Sequence, residues 1–405
     1  MSDVSFASAL TLLRSPNVGR VFIAYLISYS GTAMAPIAMA FGVLELTGSA
    51  GTASFVIAAP TLASIVVLLV GGVVADRTSR KRIIVISEVV SMAAQLAMAY
   101  LFLSGSATVP MLTALMLLNG IAIAFHAPAA TGFIIQLVEK EQLQATNALL
   151  GTARNGAVAG GAALGGALVA FVGPGWTLFI DGVTFGLSAL LIYSTRPKSQ
   201  RKPLAASVIQ DLKLGFREFT SHTWLWVIVL QFSLIVAAGE AVFGLLGPAV
   251  TRDLMGGAVD WGIVASAHGV GTLGGGLMAI KIQPRHPMRL ATCLVFLFSG
   301  VALSLSVPLP LPLVATASFV AGFAGQIFAV LWYTTLQRKV PGEMLSRVSA
   351  YDHLGSIILA PLGIVVAGIL YETIGYRWTL YIVAAMVVIP TALTLCVRDV
   401  RMMRW

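Results

Sequence analysis

Charged residues are scarce. They make up 10% of this 405-residue chain, against about 25% in a typical water-soluble domain. Together with 58% hydrophobic residues and a mean hydropathy of +0.92, that shortage argues against a soluble protein and puts the chain in a bilayer. Cysteine is nearly absent: Cys293 and Cys396 lie in separate apolar runs and read as apolar filler. No Gly-x-x-x-x-Gly-Lys-Ser/Thr loop occurs and no polar segment is long enough for a nucleotide domain, so ATP drive is not expected. Neither a metal-ligand cluster nor a nucleophile–base spacing stands out, so the chain is expected to be no enzyme and to need no cofactor or metal. No short apolar region with a small-residue cleavage site precedes the first long run, and no cleavable signal peptide is expected. Bases exceed acids by 25 to 16, for a net charge of +9. They sit in short connectors rather than on a basic face with stacking aromatics, so nucleic acid is not expected as a partner.

Long apolar runs are what the chain has in abundance. A span needs about 20 apolar residues to cross a hydrocarbon core of roughly 30 Å. On that template twelve spans appear, at 20–46, 51–75, 83–104, 110–136, 147–172, 176–195, 223–250, 259–280, 290–307, 310–336, 346–371 and 376–397. With the N-terminus taken as cytoplasmic, the inner segments hold 22 Arg and Lys, the outer connectors hold only Arg252 and Arg377, and Arg154 falls inside a span. Positive residues stay on the inner side. Both ends are therefore expected to be cytoplasmic, in a multi-pass protein of the cell's inner membrane.

The longest connector, 196–222, separates two six-span halves, 1–195 and 223–405. Within it Val208, Ile209, Leu212, Phe216 and Phe219 share one helical face, which predicts an interfacial helix. A shift of 202 residues aligns Gly161, Gly166, Gly173 and Trp176-Thr177-Leu178 with Gly363, Gly368, Gly375 and Trp378-Thr379-Leu380. The expected fold is thus all-α, with twelve transmembrane helices in two pseudo-symmetric halves. Parallel six-span repeats with a site between them near the midplane are a transporter architecture. Gly161, Gly165 and Gly166 in span 5, with Gly274 and Gly275 in span 8, read as helix-packing positions; spans 5 and 8 are expected to meet.

Gly72-Val73-Val74-Ala75-Asp76-Arg77-Thr78-Ser79-Arg80-Lys81-Arg82, after span 2, resembles the signature loop of the major facilitator superfamily, carried by Gly72, Asp76, Arg77, Arg80 and Lys81. Ser79 stands where that family usually has glycine, and the loop after span 8 lacks the acid. Glu45-Leu46-Thr47-Gly48-Ser49, Val340-Pro341-Gly342-Glu343 and Gly165-Gly166 resemble the family's siderophore and macrolide exporter branch. Gly161-Ala162-Ala163-Leu164-Gly165-Gly166 is similar to an antiporter signature with alanine for its proline; Gly31-Thr32 stands where the branch often has Gly-Asp. The resemblance implies that Asp76 gates the cytoplasmic side against the N-terminal end of span 11. A carboxylate is favoured at such an end by up to about 2 kcal/mol when partly buried.

Ionisable groups at membrane depth are functional candidates. Glu240 in span 7 is the foremost candidate for proton coupling, with His268 in span 8 and Asp181 in span 6 beside it. Arg154 and His126 are candidates for a substrate cavity, with Tyr25, Tyr29, Asn119, Gln326, Trp332 and Tyr333; for each, ordinary packing is the alternative. Glu88, Asp352 and His353 read as part of an inner charge network, and Glu45 as solvated at an outer edge. The expected function is proton-driven export of small amphipathic or drug-like molecules by a monomer. Import of a nutrient, or a membrane sensor, is the alternative.

Overall fold

The computed structural model describes residues 12–139, 142–197, 208–307, 309–342 and 344–404, with backbone alone at 68–77, 144, 148, 208–212 and 346. Every regular element among the described residues is helical. After a 3-10 turn at Leu12–Arg14 come α1 (Pro16–Thr47), α2 (Ala50–Arg77), α3 (Arg80–Leu103), α4 (Val109–Ile134) and α5 (Leu143–Tyr193). The predicted interfacial helix is α6 (Val208–Ser221). There follow α7 (Thr223–Ala241), a π-helical turn (Val242–Leu246), α8 (Gly247–Leu254) and α9 (Ala258–Ala279). The chain continues through α10 (Pro287–Val295), α11 (Ser299–Ser306), α12 (Leu311–Lys339), α13 (Leu345–Ile357), α14 (Ala360–Thr373), α15 (Tyr376–Cys396) and α16 (Arg398–Arg401).

Proline marks many of the starts, because it needs no amide partner in a first helical turn: α1, α4, α8, α10, α12 and α14 each carry one there. Among the described residues, ten helical stretches are long and apolar enough to cross a membrane. One of them, α5, carries two expected spans in a single 51-residue run that bends at Gly173 (φ 85°, ψ 170°) beside Pro174. With α9, of 22 residues, all twelve expected spans are helical.

Contacts divide the chain into two compact units: unit 1 holds the described residues of Met1–Gly48, Phe55–Lys202 and Trp261–Ser266, and unit 2 those of Ser49–Ser54, Pro203–Asp260 and Ala267–Trp405. In unit 1, α1, α3, α4 and α5 enclose a core of Val18, Val21, Ile83, Ile84, Phe133, Leu149, Leu150 and Ile192. Small residues let these helices close up: Gly161 lies against Ser30 and Ala33, and Gly165 against Met34, both on α1. Gly262 lies against Gly166 and Ala162, and Ser266 Oγ donates to the Ala159 carbonyl at 2.8 Å.

In unit 2, α7 packs on α13, α14 and α15. Gly275 of α9 meets the Phe323 backbone of α12, and Gly274 the Phe323 ring. Helix α6 docks on α13, with Gly215 against Arg347 and Phe216 edge-on to Tyr351 at 5.6 Å. Large apolar side chains such as Phe171 (84% exposed) and Leu277 (71%) point outward, as a hydrocarbon solvent permits and water does not.

Candidate functional site

Unit 1 encloses a cavity of about 600 Å³. Its wall follows from helical spacing. Tyr25, Ser28, Tyr29 and Thr32 project from one face of α1, Ser87, Glu88 and Ser91 from α3, and Ile123, His126, Ala127 and Ala130 from α4; Asn147, Gly151 and Arg154 close it from α5. Most of the wall is apolar or aromatic, and Glu88, His126 and Arg154 carry its charge chemistry. The Tyr25 and Tyr29 rings meet edge to face at 5.3 Å, and both tyrosines lie within the field of Arg154 and Glu88.

Glu88 is 4% exposed. Its Oε1 accepts from Ser188 Oγ at 3.1 Å and lies 3.3 Å from His126 Nε2. Its Oε2 has a slacker approach from Ser28 Oγ at 3.5 Å. Sequence depth assigned Glu88 to an inner charge network; the fold instead turns it into the cavity wall. Of the expected cavity residues, Tyr25, Tyr29, His126 and Arg154 come together here. Asn119 is buried outside this lining, and its Oδ1 has no hydrogen-bond partner among the described residues.

Asp181 is fully buried. Its Oδ1 accepts from Thr184 Oγ1 at 3.3 Å, and both side chains press on Gly31 of α1. An acid thus stands beside Gly31, brought by the second half of α5 rather than by residue 32.

The remaining candidates belong to unit 2. Glu240 is exposed, one residue before α7 ends and two before the π-helical turn. The ring of His268 lies edge-on to Phe243 at 4.7 Å, and its Nδ1 is buried without a hydrogen-bond partner among the described residues. Trp332 is buried in an aromatic stack with Trp224 and Phe328 and donates Nε1–H to Asp352 Oδ2 at 3.0 Å. Tyr333 is exposed, and Gln326 faces Gly276.

In the signature loop, the side chains of Gly72, Asp76 and Arg77 lie outside the described residues. Arg80 donates to the Gly132 carbonyl at 2.5 Å. Lys81 donates to the Thr195 carbonyl at 2.8 Å and lies 5.1 Å from the centre of the Tyr193 ring. Each base thus meets carbonyls near the C-terminal end of a neighbouring helix, where cations are favoured. Arg20 does the same at the Ser194 carbonyl, at 2.7 Å.

A dozen apolar helices, two compact units and a mostly apolar cavity with a few convergent charged groups are the features of a membrane transporter. Comparison with known proteins makes this specific. The chain belongs to the Major Facilitator Superfamily, whose family model matches residues 21–352. It is 26% identical over 397 residues to the Multidrug efflux pump Tap of Mycobacterium tuberculosis (strain ATCC 25618 / H37Rv), covering 94% of each chain. It is 26% identical over 385 residues to the Enterobactin exporter EntS of Escherichia coli O6:K15:H31 (strain 536 / UPEC), covering 90% of this chain and 89% of that one. Among solved structures, a bacterial homolog of the human lysosomal transporter Spinster, inward-facing and unoccupied, has a TM-score of 0.76 at 16% identity, over 97% of this chain and 98% of that one. The nucleoside transporter NupG has a TM-score of 0.75 at 13% identity, over 94% and 98%. At these identities the structural likenesses speak for the fold alone.

Proposed function

We propose that this transporter exports small amphipathic or drug-like molecules from the cytoplasm, as a monomer, in exchange for protons and by alternating access. The observation that carries the reading is the unit 1 cavity. Its apolar and aromatic wall suits the hydrophobic body of such a molecule, while Arg154, Glu88 and His126 offer a few polar contacts to orient it. Two similar proteins, a multidrug efflux pump and an enterobactin exporter, support the outward direction. The excess of inner Arg and Lys supports cytoplasmic ends. Asp76 would gate the cytoplasmic side, its release from a helix end tipping a two-state equilibrium. Glu88, Asp181 and Glu240 are the acids at membrane depth from which a coupling group would come.

The test is accumulation of dyes, antibiotics and siderophores in efflux-deficient bacteria expressing the wild type or Asp76→Asn, with and without a protonophore. Export predicts lower accumulation that the protonophore abolishes and Asp76→Asn weakens. Raised accumulation of any compound replaces export by import. No change across a broad panel defeats the drug-export reading.

A further inference from the structure

Glu88 differs from the other acids at membrane depth in the kind of partner it has. Its three polar neighbours are two serine hydroxyls in hydrogen-bond contact and an imidazole at ion-pair distance, and none of them is a permanent cation or a fixed donor. A hydroxyl donates or accepts by rotation, and an imidazole changes role with its protonation state. This set therefore accommodates a carboxylate, accepting from Ser188 and Ser28 beside the His126 ring. It equally accommodates a carboxylic acid whose Oε1–H donates to Ser188 Oγ, turned to accept, across the same 3.1 Å.

The other acids lack this freedom or this access. Asp352 is met by the Trp332 indole N–H, which can only donate. Glu372 accepts from Ser49 Oγ at 2.6 Å and from the Gly51 amide at 3.0 Å, at the start of α2. Asp181 is fully buried and does not line the cavity. Glu240 belongs to unit 2 and is not among the residues that line this cavity.

Glu88 also has a path to water. It is nearly buried, whereas His126, 3.3 Å away in the same cavity wall, is 23% exposed. The titratable and charged groups around the pair come from two helices: Tyr25 and Tyr29 on α1, and Arg154 and Asp181 on α5. Arg154 is the one among them that keeps its charge at any working pH.

We propose that Glu88 and His126 together form the proton-binding site of this cavity, and that proton and cargo exclude each other there through charge. A proton from cavity water bonds to an imidazole nitrogen of His126, giving an imidazolium–carboxylate pair. Transfer onward breaks the Nε2–H bond and forms the Oε1–H bond of Glu88. Either way the cavity gains one positive charge, returned to water when the proton leaves. A unit charge a few ångströms from a ligand in such a partly desolvated site changes affinity by roughly tenfold or more. A lipophilic cation is therefore bound by the deprotonated cavity and expelled by the protonated one. That is the thermodynamic requirement for exchange, and for a cargo carrying positive charge. The direction of exchange rests on the export reading above; the proton site does not.

The test uses the purified full-length protein. Infrared difference spectra across a pH titration report the carbonyl stretch of a protonated carboxyl without any ligand. The wild type and Glu45→Gln, at an exposed residue outside the cavity, are expected to show a band that Glu88→Gln lacks and that His126→Gln shifts along the pH axis. Glu88→Gln keeps both serine contacts, and equal thermal unfolding will establish that it folds. Tetraphenylphosphonium and tetraphenylborate, matched in shape and opposite in charge, then probe the cavity. The cation is expected to bind about tenfold more weakly in the protonated state and the anion more tightly, both flattening in Glu88→Gln.

An unchanged carboxyl band in Glu88→Gln overturns the proton site. The same pH trend for both probes, or binding of neither, overturns exclusion by charge. If the cells of the accumulation test show no export while the infrared result holds, the export reading fails and the proton site stands.

Discussion

The two units share a frame and differ in what fills it. Gly173 in unit 1 and Gly375 in unit 2, 202 residues apart, both adopt φ near +84°, at 85° and 83°, with ψ of 170° and 161°. That backbone region belongs essentially to glycine. Four residues on, Thr177 and Thr379 each return a hydroxyl to the glycine carbonyl at 2.9 Å. Gly161 and Gly363, also 202 apart, each press on the backbone of their unit's first membrane helix, at Ser30 and Ala237. The fillings diverge at matched positions. Arg154 and Asp181 of unit 1 correspond to Ser356 and Val383 of unit 2, and unit 2 puts a stack of Phe232, Phe328, Trp332 and Trp224 in its interior. Backbone geometry is shared where the helices turn and touch, while at these two matched positions only unit 1 carries a charged group.

The strongest way to break the comparison is at the elbows. Gly173→Ala and Gly375→Ala each force a Cβ into a conformation that costs about 1–3 kcal/mol. Thermal unfolding of the purified variants should show similar losses for both. A tolerated substitution at one elbow would mean that the two turns are alike in shape and different in strain.

Next come the close approaches. A Cβ on Gly161 meets backbone of α1, and one on Gly363 meets backbone of α7; neither can rotate out of the way. Overpacking of this kind costs typically about 1–3 kcal/mol. Gly161→Ala and Gly363→Ala should therefore lower stability together. Gly156→Ala, whose Cβ meets nothing within 4 Å, should leave it unchanged or raise it by up to about 1 kcal/mol through helix propensity.

These elbows and contacts were legible in the sequence, since glycine recurring at one fixed offset marks backbone positions that both halves constrain in the same way. So were the spans, because length and hydropathy alone decide whether a helix crosses a bilayer. Rotation about each helix axis was harder to read. Glu88 lies eight residues beyond Arg80, about 12 Å along α3, and depth alone assigned it to the inner network. Its direction toward His126 and Ser28 follows from how α4 packs on α3 and how α1 and α3 both pack on α5, which one sequence does not reveal. The same holds for Trp332: an indole in a span suits a cavity wall, and only tertiary structure brings Asp352 to its N–H.

The aromatic filling of unit 2 gives a smaller effect. Trp332→Phe keeps the aromatic ring in place and deletes the one donor to Asp352 Oδ2 among the described residues. A buried acceptor left unpaired costs about 1–3 kcal/mol, and the loss should be recovered in the double variant Trp332→Phe with Asp352→Leu. Recovery, read by thermal unfolding, would identify Asp352 as a structural partner in unit 2, in contrast to Glu88 in unit 1. A double variant that unfolds no later than the single one would assign the loss to packing.

The smallest expected difference lies in the loops that follow α2 and α9. Lys81 is half-buried and bonded to the Thr195 carbonyl, at the end of α5 that the helix dipole makes negative. Lys281, in the loop after α9, is exposed. A cation at a helix C-terminus contributes roughly 0.3–1 kcal/mol, and salt screens it. Lys81→Met should lower stability by about that amount at low ionic strength and by less in molar salt, while Lys281→Met should be silent in both. The salt dependence matters more than the size, because a loss of side-chain packing would not respond to salt. A deficit that persists undiminished in molar salt would make Lys81 a packing residue, and the asymmetry between the two loops would then reflect shape rather than charge.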